Sequence, residues 1–182
     1  MTKCSVFIAT SLDGFISRPD GSIDWLMKAN ERMPAAEDCG YSQFISNIDA
    51  IIMGRNSFEQ VLTLGEWQYK TTPLFVLSRS LKILPKNTPA SVSLISGNPN
   101  EFVKYLSAIG LKRLYIDGGL TIQSFLKAGL IDEITITVIP VLLGAGKPLF
   151  GSLPHDIHLK VLETRTYNFG FVQSKYRVIK KS

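Results

Sequence analysis

Cysteine is scarce here: the 182 residues hold two, Cys4 and Cys39. They lie far apart and in no C-x-x-C pair, which excludes a zinc ribbon, a zinc-dependent deaminase and a redox dithiol. Buried free thiols in a reducing compartment are expected instead. The two histidines, His155 and His158, follow Pro154 with no third ligand candidate beside them, so no metal site is expected. No apolar run approaches the ~20 residues that span a bilayer. The start, Met1-Thr2-Lys3-Cys4-Ser5, runs straight into Val6-Phe7-Ile8-Ala9 without a charged leader or cleavage site. A cytoplasmic chain that avoids membranes is the expectation. Two phosphate motifs are incomplete. Gly144-Ala145-Gly146-Lys147-Pro148 has Val141 where a P-loop needs its first glycine and Pro148 where it needs Ser or Thr, and no full G-x-G-x-x-G follows the first strand.

What is present is the balance of one globular domain spanning 1–182, with 45% hydrophobic and 19% charged residues. A chain of this length buries roughly 70% of its unfolded surface, enough for a core without staples. Twenty Lys and Arg against fifteen Asp and Glu leave a formal charge of +5. Much of that excess lies in the tail, where Lys160, Arg165, Lys175, Arg177, Lys180 and Lys181 meet only Glu163 in sequence. These cations alternate with apolar residues along strand-like segments, so they are expected on a solvated face. Nucleic acid, which needs a concentrated basic patch, is not expected. A small anionic ligand is the better partner.

Short Val- and Ile-rich runs recur: Cys4 to Thr10, Ala50 to Met53, Leu74 to Leu77, Val92 to Ile95, Leu114 to Ile116 and Ile134 to Val141. Apolar at successive positions, they fit strands buried on both faces. Helical spacing appears between them, over Ala36 to Ile48, Asn100 to Gly110 and Leu120 to Gly129, the last two ending at a glycine suited to a C-cap. The alternation predicts an α/β domain with a largely parallel sheet. It is closed by an antiparallel hairpin, His158 to Thr166 and Phe171 to Ile179, turning at Tyr167-Asn168-Phe169-Gly170.

Three strand-to-helix corners have the chemistry of a phosphate cradle. Met53-Gly54-Arg55-Asn56-Ser57 joins a glycine to a cation, an amide and a hydroxyl; Leu77-Ser78-Arg79-Ser80 repeats hydroxyl and guanidinium; Asp117-Gly118-Gly119-Leu120-Thr121 runs into a double glycine. Helix starts attract anions through free N–H groups, arginine grips phosphate at two points, and glycine admits close approach or simply tight packing. Each signal is weak alone. Three at the carboxyl edge of one α/β sheet point to a dinucleotide site.

Taken in order, Ser11-Leu12-Asp13-Gly14-Phe15-Ile16, Met53-Gly54-Arg55-x-Ser57-Phe58-Glu59, Leu77-Ser78-Arg79 and Asp117-Gly118-Gly119 resemble the dihydrofolate reductase superfamily. The chain is most similar to the reductase domain of the bifunctional deaminase-reductase of riboflavin biosynthesis and its stand-alone relatives, and Ile139-Pro140-Val141-Leu142-Leu143-Gly144-x-Gly146-Lys147-Pro148-Leu149-Phe150 is typical of that branch. The resemblance implies a three-layer α/β/α sandwich around a mixed, mostly parallel sheet of about eight strands. It implies an NADPH-dependent reductase delivering hydride to a C=N or C=O of a heterocyclic substrate, of the 5-amino-6-(5-phosphoribosylamino)uracil reductase type. A dihydrofolate or pterin reductase and a non-catalytic NADPH-binding dimer are the alternatives.

The resemblance also assigns residues. Gly54, Arg55, Asn56, Ser57, Leu77, Ser78 and Arg79 hold the adenosine 2′-phosphate end; Gly118, Gly119, Leu120 and Thr121 hold the pyrophosphate; Ala9 and Ile16 bracket the nicotinamide. Counting back from Gly54 makes Asp38 the proton-supplying acid, on a helix, with its pKa raised between apolar walls and Thr137 able to orient it. Asp13, Asp24 and Trp25 of the first loop (Trp25 a stacking surface for a flat ring), with Tyr41 and Thr137, form the substrate side. Pairing through the sheet implies a homodimer.

Overall fold

The computed structural model describes residues 2–180. In chain order the elements are β1 (Lys3–Ser11), β2 (Phe15–Ser17), α1 (Asp24–Asn30), α2 (Tyr41–Ile45), β3 (Ala50–Gly54), α3 (Arg55–Leu62), β4 (Leu74–Leu77), β5 (Val92–Ile95), α4 (Pro99–Ala108), β6 (Arg113–Asp117), α5 (Gly119–Lys127), β7 (Ile131–Ile139), β8 (Lys147–Pro148), β9 (Leu159–Thr166) and β10 (Val172–Val178). Eight strands form one sheet in the order β5-β4-β3-β6-β1-β7-β10-β9. The first six of that order run parallel, and β10 is antiparallel to both its neighbours.

Strand alternation divides the core into two layers. Cys4, Val6, Ile52, Leu114 and Ile116 pack against Phe102 and Leu106 of α4 and Ile122 and Phe125 of α5. Ile51, Met53, Leu74, Val76 and Tyr115 pack on the other side against Phe58 of α3, with Tyr41 and Phe44 of α2. This is the expected α/β/α sandwich.

Three expectations need correction. The helix expected over 36–48 shrinks to α2, because Cys39 (φ 53°) and Gly40 (φ 81°) turn the chain left-handed just before Tyr41. Asp24 and Trp25, expected in a loop, begin α1, and Phe15–Ser17 pairs with Lys147–Pro148 in a small second sheet. The tail cations are not merely solvated. Strand order sets β10 beside β7, so Lys175 Nζ (3.2 Å) and Arg177 Nη2 (4.0 Å) join Lys3 Nζ (2.7 Å) around the buried Glu133 carboxylate. Lys180 pairs with Asp132 at 2.6 Å; Lys181 lies outside the described residues. No helix among those residues is long and apolar enough to cross a membrane.

Candidate active site

Strands β3 and β6 are parallel neighbours, with Met53 opposite Asp117. β3 ends at Gly54 and β6 runs into Gly118, each the N-cap of the helix that follows. Neither α3 nor α5 takes a side-chain cap from the described residues, whereas Asn98 caps α4 by accepting from Asn100 N–H. The leading N–H groups of Arg55–Ser57 and Gly119–Thr121 are thus left for an outside acceptor. The two corners also interlock. A Cβ on Gly118 would lie 2.3 Å from Ser57 Oγ, one on Gly54 2.8 Å from Thr121 Oγ1, and one on Gly119 2.8 Å from Ile16 Cδ1. These glycines therefore serve close packing, and Gly119 lets Ile16 of β2 reach the start of α5.

The third corner joins them through Arg55, whose Nη1 donates to Ser80 Oγ at 3.3 Å while its Nε lies 3.7 Å from Glu59. Ser78 is buried, its hydroxyl accepting from Leu81 N–H at 3.0 Å to shape the turn. Asn56, Arg79 and Leu120 are exposed around this edge. The structure thus gathers every residue of the expected cofactor set near one rim except Ala9, which lies further along on β1.

Ala9 belongs to a second group. Register sets Ala9 opposite Thr137 and Thr137 opposite Gln173. By alternation these three share a sheet face with Phe7, Tyr115 and Asp117. Asp117 ends β6 half-buried, and burial raises its carboxyl pKa despite the Gly118 N–H (2.8 Å) and Tyr115 working the other way. Three phenols face it. Burial, then the Asp117 charge, pushes Tyr41 up to about 12 and raises Tyr69 and Tyr115. Tyr115 donates to the Phe7 carbonyl at 3.0 Å, and Tyr41 meets the Phe7 ring edge-on at 5.7 Å. Tyr69 and the side chains of Asp117 and Gln173 escaped the sequence reading. For Asp117 the signal existed: an acid closing a buried strand directly before the double glycine.

The other acids are committed elsewhere. Asp38 precedes α2 rather than lying on a helix, and its oxygens accept from Gly40 N–H (2.8 Å) and Ser42 N–H (2.7 Å). The Ser42 bonds lead in holding its carboxyl below the ordinary aspartate value, the reverse of the raised pKa expected. Thr137 is bonded to Gln173 instead of orienting Asp38. Asp13, lowered chiefly by the Ser11 hydroxyl, clamps the N–H groups of Leu143 (3.1 Å) and Gly144 (2.7 Å). Asp24 is held by Arg18 at 2.6 and 3.0 Å. Trp25 is no open stacking surface: it is buried with Ala29, Cys39, Ile139 and Phe171.

Residues 2–172 match the family model of the RibD C-terminal domain. A Bacillus subtilis (strain 168) protein of uncharacterised activity, YwjB, is 34% identical over 91% of this chain and 92% of its own. A Shewanella sp. PV-4 crystal structure assigned to riboflavin biosynthesis is 38% identical, with a TM-score of 0.92 over 98% of this chain and all of the other. The Thermotoga maritima diaminohydroxyphosphoribosylaminopyrimidine deaminase/5-amino-6-(5-phosphoribosylamino)uracil reductase shares the fold at 13% identity. Its TM-score is 0.66, over 98% of this chain and 57% of that one.

Proposed function

The chain belongs to the RibD C-terminal domain family, and from that premise we propose that it is an NADPH-dependent reductase of a heterocyclic C=N or C=O, of the 5-amino-6-(5-phosphoribosylamino)uracil reductase type. The observation that carries this reading is the union of two uncapped helix starts with the Arg55–Ser80 contact on one rim, beside a sheet face that holds a raised-pKa acid.

The residues present fit the cofactor. Free N–H groups at Arg55–Ser57 and Gly119–Thr121 suit a pyrophosphate, and the guanidinium groups of Arg55 and Arg79 suit a further phosphate on the ribose. When bound, NADPH supplies the hydride; the chain supplies orientation and protons. Ile16 covers the rim above α5, Ala9 lines the floor toward Thr137, and Asp117 takes the proton-holding role that Asp38 cannot fill. Burial raises its carboxyl pKa, the direction that proton donation toward neutral pH requires. Asp38, Asp13 and Asp24 then act by shaping the loops around the pocket, and Trp25 by supporting α1.

A homodimer is part of the proposal. All eight residues of edge strand β9 are exposed, Leu159, Val161 and Leu162 among them, and a second copy would remove that unpaired edge. Light scattering at micromolar concentration should give twice the 20.2 kDa chain mass.

The test of the cofactor reading is thermal protection by NADPH and by NADH. NADPH should protect at roughly tenfold lower concentration or better, a difference of about 1.4 kcal/mol. Arg55→Ala combined with Arg79→Ala should abolish the difference. Equal protection of the unaltered protein by the two nucleotides refutes the reading.

A further inference from the structure

We propose that Asp13 is a positioning residue for the rim. Its carboxylate ties the β1–β2 turn to the β7–β8 connection, and the β2–β8 ribbon so held is a strap over the start of α5 that retains the pyrophosphate half of a bound dinucleotide. This role rests on the reductase reading for what occupies that helix start, and it adds what keeps the occupant there.

The tie joins segments 130 residues apart. Asp13 Oδ2 accepts from Leu143 N–H at 3.1 Å and from Gly144 N–H at 2.7 Å. Asp13 Oδ1 accepts from the Ser11 hydroxyl at 2.5 Å, and that hydroxyl oxygen accepts from Phe15 N–H at 3.0 Å. Ser11 is only 1% exposed, so it is a fixed post. Among the described residues no backbone carbonyl takes the N–H of Leu143 or Gly144. Three donors therefore converge on one side chain, and an ionised carboxylate, with two oxygens and about four lone-pair sites, serves them all. Leu12 N–H adds a bond to the Val141 carbonyl at 2.9 Å. An aspartate that merely shapes a turn bonds to N–H groups a few residues on, as Asp20 does with Ser22 and Asp38 with Gly40 and Ser42. Asp13 instead reaches a distant loop.

The ribbon runs from this knot to the helix. Phe15 pairs with Pro148 and Ser17 with Lys147, while Leu149 N–H donates to the Gly14 carbonyl at 3.0 Å. Both strands meet the first residue of α5: a Cβ on Gly119 would lie 2.8 Å from Ile16 Cδ1 and 3.3 Å from the Pro148 oxygen. One turn further along, Gln123 Nε2 donates to the carbonyls of Pro148 and Leu149, each at 3.2 Å. A two-stranded ribbon is marginal alone, so its seat on α5 depends on its ties, Asp13 at one end and Gln123 at the other. Both Asp13 oxygens are taken by these donors. Its effect on a ligand is therefore exerted through Ile16 and the ribbon.

Asp13→Asn keeps the size of the side chain but leaves one accepting oxygen for three donors. NADPH and 2′-AMP, which ends short of the pyrophosphate, are titrated calorimetrically against the unaltered and altered chains, and NADPH dissociation is followed by stopped flow. In the variant NADPH should bind about tenfold more weakly, through faster dissociation, while 2′-AMP affinity stays within about twofold. Amide hydrogen exchange without nucleotide should quicken together in residues 12–18 and 141–149. A variant that is only less stable would melt lower and leave the ratio of the two affinities unchanged. Gln123→Leu cuts the other tie and should move the ratio the same way, so it decides the matter if Asp13→Asn fails to fold. An unchanged ratio in the folded variant, or an equal loss for both ligands, overturns the strap while the cofactor reading stands. An unaltered chain that binds NADPH no more tightly than 2′-AMP overturns the cofactor reading, and the strap with it.

Discussion

Gly118 offers the sharpest test of how the rim is built. It stands at φ 88°, ψ 134°, outside the regions open to L residues. Gly118→Ala must therefore hold a strained backbone, at about 1–3 kcal/mol. Its Cβ would also fall 2.3 Å from Ser57 Oγ and 3.3 Å from Ser57 Cβ, against a comfortable carbon separation of about 3.5–4.0 Å. Ser57 Oγ can rotate away, but Ser57 Cβ is fixed in the first turn of α3, so the start of that helix has to shift. Overpacking of this kind costs about 1–3 kcal/mol. A combined loss near 4 kcal/mol corresponds to a drop in Tm of roughly 8–16 °C for a domain of this size. Thermal melting followed by circular dichroism reads it directly. Adding Ser57→Ala removes the oxygen clash but neither the backbone strain nor the Cβ contact, so it should recover only part of the loss. A Tm within about 2 °C of the unaltered protein would refute both arguments, and full recovery in the double variant would refute the strain and Cβ-contact parts while leaving the oxygen clash.

Asp117→Asn should separate stability from turnover. A carboxyl whose pKa is raised on folding costs stability as pH climbs through that value, so the Asn variant should melt higher than the parent at pH 8 and equally below about pH 3.9. Its turnover should fall ~10²–10⁴-fold with NADPH protection intact; unchanged turnover would return the proton to water. Glu133→Gln should behave in the opposite sense. Burial alone would raise this carboxyl, but Lys3 and Lys175 outweigh it and hold it below the usual glutamate value. Its contribution is therefore present above about pH 4.3 and lost as acid titrates the folded form. A loss of about 1–3 kcal/mol at pH 7 is expected, since the carboxylate is buried but its partners can rehydrate. Urea titration at pH 7 and pH 3 checks it, and a loss that is equal at the two values would sink the argument.

The parallel half of the sheet was legible because its strands are buried on both faces. Leu74–Leu77 and Val92–Ile95 lie where their apolar runs begin and end. The hairpin was legible from Gly170, which takes φ 100° at the turn between β9 and β10. The helix over 36–48 was misread for a local reason: Tyr41, Phe44, Ile45 and Ile48 do repeat at helical spacing, but the left-handed residues at 39 and 40 confine the regular part to one short turn and a half. Nothing in that spacing reports where the backbone reverses. The role of the tail cations was equally hidden, because Glu133 precedes Lys175 by forty-two residues and meets it only when β10 docks beside β7.

The three corners of the proposed cofactor rim were legible as motifs since each is local: glycine, then hydroxyl or guanidinium, at the end of an apolar strand. The acid proposed to hold the proton was not, because solvation decides between the candidates. Asp38 and Asp117 are the same side chain, and both adjoin the pocket elements. Counting from Gly54 favoured Asp38, but counting gives position along the chain and nothing about solvation. Asp38 falls in a turn whose own N–H groups need an acceptor, and those bonds stabilise its charged form. Asp117 falls at the end of a strand flanked by β3 and β1, with Tyr115 two residues earlier on the same face and Tyr41 and Tyr69 brought in from two other segments. Among the described residues one backbone N–H, that of Gly118, reaches it. A carboxyl with few donors and apolar or phenolic neighbours holds its proton to higher pH than one whose charge is stabilised by several backbone donors. The choice between the two acids is thus set by how many N–H groups the fold leaves within reach of each, a property of sheet order and turn geometry that spacing in the sequence does not carry.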